Sequence, residues 1–102
     1  MGQKLIFKAK LSITFMEKSQ IISEIEKRVL RMKNDYTLWT IGITDTPKSR
    51  KDQHYDNGKD VSDWADWSIH SENDARAIEE HFLDKGMKGD AEGSSVKYVY
   101  IF

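Results

Sequence analysis

The sequence predicts an α+β fold: a small mixed or antiparallel sheet of three to four strands flanked by about three helices, in the order β-α-β-α-β-α-β. Three observations lead there. Phe7, Ala9, Leu11, Ile13 and Phe15 alternate with Lys8, Lys10, Ser12 and Thr14, the period of two expected of a half-buried strand with one wet, basic face. Ile22, Ile25, Val29 and Met32, with Ile21 and Leu30 beside them, recur instead at helical spacing. The closing VKYVYIF alternates again, setting Tyr98, Tyr100 and Phe102 on one face and Val99 and Ile101 on the other.

The first strand occupies residues 4–15. Ser19 is the expected N-cap of the first helix, which ends near Asn34. The second strand is TLWTIGIT, residues 37–44, with Trp39, Ile41 and Ile43 on one face and Leu38, Thr40, Gly42 and Thr44 on the other. Asp45 or Thr46 caps a short helix that opens with Pro47, where a missing N–H costs nothing. That helix carries Lys48, Arg50, Lys51 and His54 and fades at the turn signal DNG, residues 56–58. A third strand follows at 64–70, in which Trp64 and Trp67 face opposite sides. Ser71 opens another helix with Asp74 three residues on, an acidic variant of the capping box. Ala75, Ile78 and Phe82 are its buried stripe, and Gly86 is its stop. KGMKGDAEGSS, residues 85–95, reads as a glycine-bearing loop before the last strand at 96–102. The organisation is a single domain, 1–102, with an N-terminal strand and helix extension at 1–34 and a core at 36–102.

Composition narrows the function classes. At 102 residues the chain supports one modest core, and three tryptophans with 38% hydrophobic residues indicate a folded protein. No run approaches the roughly 18 apolar residues of a membrane span. In MGQKLIFKAK, Lys4, Lys8 and Lys10 interrupt any signal-peptide core, so a cytoplasmic protein without membrane association is expected. There are no cysteines, hence no disulfide framework and no thiolate metal site. The net charge of −1 conceals an asymmetry. Residues 1–40 hold eight Lys and Arg against four Asp and Glu, and residues 41–102 hold eight against thirteen. A phosphate-binding role therefore needs a locally basic face or a metal ion.

Residues 36–83 carry a further signal, in IGITDTPKSRKDQHYDNG and SENDARAIEEHFL. Gly42 at the end of a strand is followed eight residues later by Arg50 on a helix, with Thr44, Pro47, Gln53 and His54 between and after. SENDARAIE then forms an acidic, alanine-containing helix that reaches Glu79. In this order the fragments resemble the core of the GIY-YIG endonuclease superfamily. The resemblance implies a compact nuclease-type domain that hydrolyses phosphodiesters with one divalent metal, Mg²⁺. Under it Glu79 holds the metal, Arg50 stabilises charge on the phosphoryl oxygens, and a tyrosine or His54 helps activate water.

Two departures bear on that implication. Thr40 stands where the family has the tyrosine of Tyr-Ile-Gly, and the upstream Gly-Ile-Tyr strand is replaced by the helix at 19–33. Strand 4–15 or the C-terminal strand can fill the vacant sheet position. In the second case Tyr98 or Tyr100 supplies the phenol in a permuted strand order. The candidate catalytic set is Arg50, His54, Glu79 and Tyr100, with Glu79 as metal ligand and Lys48, Arg50 and Lys51 as nucleic-acid contacts. Plainer roles stand beside these. Gly42 can permit close packing, Glu79 next to Ile78 can be a flank residue of the core, and the C-terminal aromatic row can simply pack. His54, His70 and His81 have no zinc-like spacing. The expectation is a GIY-YIG-like domain, catalytically degenerate, that binds nucleic acid, DNA being the candidate partner. The alternatives are an active metal-dependent endonuclease and a structural or oligomerising domain.

Overall fold

The computed structural model describes residues 17–69, 71–90 and 97–102. The expected strand at 4–15, His70 and most of the loop after residue 90 lie outside the described residues. In chain order the elements are helix α1 (Lys18–Met32), a 3₁₀ turn (Tyr36–Leu38), strand β1 (Thr40–Thr44), helix α2 (Pro47–Asp56), strand β2 (Ala65–Ser68), helix α3 (Glu72–Asp84), strand β3 (Lys88–Asp90) and strand β4 (Tyr98–Ile101). The fold class is α+β, with a four-stranded mixed sheet in the order β2-β4-β1-β3. β4 runs antiparallel to both β1 and β2, while β3 runs parallel to β1.

Local sequence accounts for the helix ends. Gln20 accepts the Glu17 backbone N–H at 2.9 Å, so α1 begins at a Glu17 cap, two residues before the expected Ser19. Pro47 occupies the first turn of α2, and Gly58 leaves it with φ of 85°. Ser71 Oγ accepts the Asp74 N–H at 3.2 Å at the start of α3. Gly86, with φ of 114°, ends α3 in the left-handed region where a side chain would be strained.

The strands differ from expectation as well, the expected third being shorter, Ala65–Ser68 instead of 64–70. The strand expected at 37–44 starts at Thr40, because Asp35 accepts the Thr37 N–H and tightens residues 36–38 into a 3₁₀ turn. The larger difference is β3, a strand inside the stretch expected to be loop. Lys88, Gly89 and Asp90 have no hydrophobic alternation, so nothing local marks them. Met87, buried after the Gly86 turn, brings the chain back to the core and sets it against β1, Gly42 beside Asp90.

Alternation along the strands divides the sheet into two unlike faces. On one, Ile41, Ile43, Val99 and Ile101 meet α1 through Ile21, Ile25 and Val29 and α3 through Ala75, Ile78 and Phe82. Each fully buried aliphatic or aromatic side chain contributes about 1.5–3 kcal/mol, which makes this layer the main source of stability. Trp39 is buried in the same cluster and donates its indole N–H to the Lys33 carbonyl at 2.9 Å, tying the end of α1 to β1. The other face carries Gly42 and Tyr100, which are cross-strand partners, and is covered by α2. Helix α2 has no buried residue of its own. Its attachment is polar.

Candidate functional site

The corner between β1 and α2 is made by Thr44, whose Oγ1 accepts the Thr46 N–H at 3.1 Å just before Pro47 redirects the chain. Arg50 and His54 then fall four residues apart on one side of α2, one helical turn, and both face the sheet. Lys48 and Lys51 are exposed on the outer side. The three residues expected to contact nucleic acid are therefore split, with Arg50 turned inward and the lysines outward.

Below α2 lies Gly42. A Cβ at this position would overlap the Tyr100 phenol, so the glycine is what lets that ring lie across β1. Tyr100 comes from β4, which occupies the sheet position beside β1, and of the two candidate tyrosines it is the one that enters the site. Tyr98 sits further along, opposite Thr44.

All the polar groups meet at one atom. Asp90 Oδ2 accepts Arg50 Nη2 at 2.9 Å and Arg50 Nε at 3.3 Å, His54 Nε2 at 2.7 Å, and a short hydrogen bond from the Tyr100 hydroxyl. Arg50 Nε and His54 Nε2 each also lie 3.4 Å from the phenol oxygen. Arg50 Nη1 donates outward to Gln53 at 2.6 Å. The side chains are shielded without being sealed, with 22% of Arg50, 12% of His54 and 20% of Asp90 exposed. Tyr100 is fully buried. An aromatic wall closes one flank: the Trp64 ring stacks on Tyr100 with centroids 4.5 Å apart and planes within 10°, and His54 packs on Phe102 at 4.5 Å.

Electrostatics follow from this packing. Burial acts to raise the Asp90 carboxyl, but hydrogen bonds from Tyr100, His54 and Arg50, together with the Arg50 charge, outweigh it and hold the group below its ordinary 3.8. The Tyr100 phenol is raised well above its ordinary 10.0, first by burial and then by the bond it donates to Asp90. In this cluster the hydroxyl is a donor, its hydrogen directed at Asp90 Oδ2.

Glu79 stands apart from this contact network. It lies on α3 beside buried Ile78, half-buried, and among the described residues it makes no hydrogen bond or ion pair to Arg50, His54 or Tyr100. Burial raises its carboxyl, Arg76 opposes that, and the Asp90 charge adds to it. The carboxylate that meets Arg50 is thus Asp90, from a stretch read as loop. The buried Met87 just after Gly86 is the one local hint that this segment rejoins the sheet.

Mg²⁺ takes ionised oxygen ligands with free lone pairs, and Asp90 Oδ2 already accepts from Arg50, His54 and Tyr100. No group of three or more His, Asp and Glu side chains placed to hold a metal ion occurs among the described residues. A surface cleft lined by Lys51, Tyr55, Lys59, Asp60, Val61 and Ser62 borders the outer side of α2, away from the cluster. No family model, curated protein or solved structure matches the chain.

Two outcomes are expected. Gly42→Ala forces the Tyr100 ring aside and should cost roughly 1–3 kcal/mol in a denaturant titration, the usual range for overpacking. Asp90, depressed in the fold, contributes stability that is present above its unfolded value of 3.8 and lost as pH falls through the lower folded value. Melting curves from neutral pH downward should therefore show the wild type losing more stability below about pH 4 than Asp90→Asn does.

Proposed function

We propose that this chain is a GIY-YIG-like domain that binds nucleic acid and has lost efficient hydrolysis. The observation that carries the reading is the convergence of Arg50, His54 and Tyr100 over the Gly42 face, three donors drawn from α2 and β4 to one point. A phosphoryl oxygen is recognised by such a set, with guanidinium, imidazole and phenol each offering a hydrogen bond to the anion. Lys48 and Lys51 on the outer side of α2 supply the less specific attraction that phosphate backbones exert on exposed cations.

The protonated phenol supports the loss of hydrolysis, since a group raised far above neutral pH is a poor base for activating water. That Glu79 makes no hydrogen bond or ion pair to Arg50 among the described residues supports it as well. The competing reading, a polar cluster that only fastens α2 to the sheet, draws on the same Arg50–Asp90 pair.

Fluorescence anisotropy of a labelled branched DNA between 50 and 200 mM salt distinguishes these readings. Binding should weaken as salt rises, with log affinity falling by about 0.9 per neutralised phosphate for each log unit of salt. Lys48→Ala and Lys51→Ala should each reduce that slope by about 1 while weakening all sequences alike. DNA that fails to bind, or binding indifferent to salt, would leave only the structural reading. Incubation of the same DNA with Mg²⁺ should leave it intact. Cutting that Glu79→Ala abolishes would instead establish the active endonuclease.

A further inference from the structure

Arg50 spends its fork in an unusual way. A guanidinium facing a carboxylate commonly makes two parallel bonds to two oxygens. Here both Nε and Nη2 go to Asp90 Oδ2, and the His54 imidazole and Tyr100 phenol go to the same atom. Oδ1 is not among the acceptors of these bonds. One oxygen is crowded by four donor atoms, while its twin accepts none of them. The donors belong to α2 and β4, whereas the acceptor belongs to β3, a three-residue strand that among the described residues pairs with β1 alone. The cradle and its occupant are thus carried by different elements.

Such a cradle is better matched to a phosphate group, which offers several anionic oxygens over which a guanidinium fork, an imidazole and a phenol can be shared. Gly42 keeps the floor beneath it free of a side chain, and Trp64, stacked on Tyr100, holds the phenol in place. The cluster is partly open, since about a fifth of Arg50 and of Asp90 is exposed. We propose that Asp90 is a resident anion. Its carboxylate fills the seat that Arg50, His54 and Tyr100 form for a phosphoryl group, and a phosphate ligand binds there only by displacing it. This rests on the phosphate-facing reading of the site given above and adds its regulation: the empty seat is the competent state, and the carboxylate holds its population down.

The shared ligand chemistry is a phosphate group, either free or terminal on one hand, or an internal phosphodiester on the other. Calorimetric titration of wild type, Asp90→Asn and Asp90→Asn/Arg50→Gln with inorganic phosphate tests it, alongside 5′-phosphorylated and unphosphorylated forms of one oligonucleotide. Phosphate should bind Asp90→Asn at least tenfold more tightly than wild type, because the competing charge is gone and the seat is vacant. Arg50→Gln should remove that gain. A gain confined to the phosphorylated oligonucleotide assigns a terminal phosphate, and an equal gain for both assigns the internal diester. Melting temperature with and without phosphate covers a variant that folds poorly, and phosphate should raise it more in Asp90→Asn than in wild type. Equal phosphate affinity in wild type and Asp90→Asn, or an unfolded variant that phosphate does not restore, overturns the proposal. Should the gain for inorganic phosphate appear while branched DNA binds neither protein, the resident anion stands and the nucleic-acid function falls. DNA binding without that gain has the opposite meaning.

Discussion

One carboxylate oxygen, Asp90 Oδ2, holds together parts of the chain that share little else. It joins α2 through Arg50 and His54, β4 through Tyr100, and β3 through its own backbone. Helix α2 depends on this more than any other element, because it buries no residue and has no apolar stripe to anchor it. Hydrogen bonds to charged groups contribute about 1.5–3 kcal/mol each, and partial exposure places these toward the low end. Losing the acceptor is worse than losing any one donor, since it breaks the bonds from Arg50, His54 and Tyr100 together. Glycine at position 42 is the precondition, for no other residue leaves room for the phenol that completes the set.

The two faces of the sheet divide the work accordingly. The face under α1 and α3 is apolar and supplies most of the stability, with Phe82, Ile78 and Trp39 fully buried. The face under α2 is built from aromatic rings around a polar centre, where Trp64, Tyr100, Phe102 and His54 contact one another. Rings of this kind exclude water from the ion pair and so strengthen it, while the open side keeps it within reach of solvent. An apolar layer that carries the fold and a polar layer that carries charge allow the second to be altered without dismantling the first.

How much of this could be read from the sequence depended on range. Pro47, Ser71 and Gly86 act within a turn of themselves, and their effects on α2 and α3 were legible. Alternation told Tyr100 from Val99, and the turn signals on either side put Arg50 and His54 on the helix that is α2. β3 was illegible because Lys88, Gly89 and Asp90 form a strand only through the ladder to β1, a contact set by the tertiary fold and not by propensity. Asp90 was missed for that reason, and with it the partner of Arg50. Close packing of the following helix was one role open to Gly42, but what needs the space is a ring 58 residues further on, and only register reveals it. Glu79 remained ambiguous in the sequence because it follows buried Ile78, a position that can turn to either flank of a helix.

If α2 is fastened by the Asp90 cluster and not by packing, its backbone amides should report that directly. Native-state hydrogen exchange compared between wild type and Tyr100→Phe/Asp90→Asn separates the two cases. The expected result is that amides of residues 51–56 lose protection selectively, while those of α1 and α3 keep theirs apart from any uniform drop in global stability. Unchanged protection of α2 relative to α1 and α3, in a variant shown to be folded, would contradict the central role given to this one oxygen.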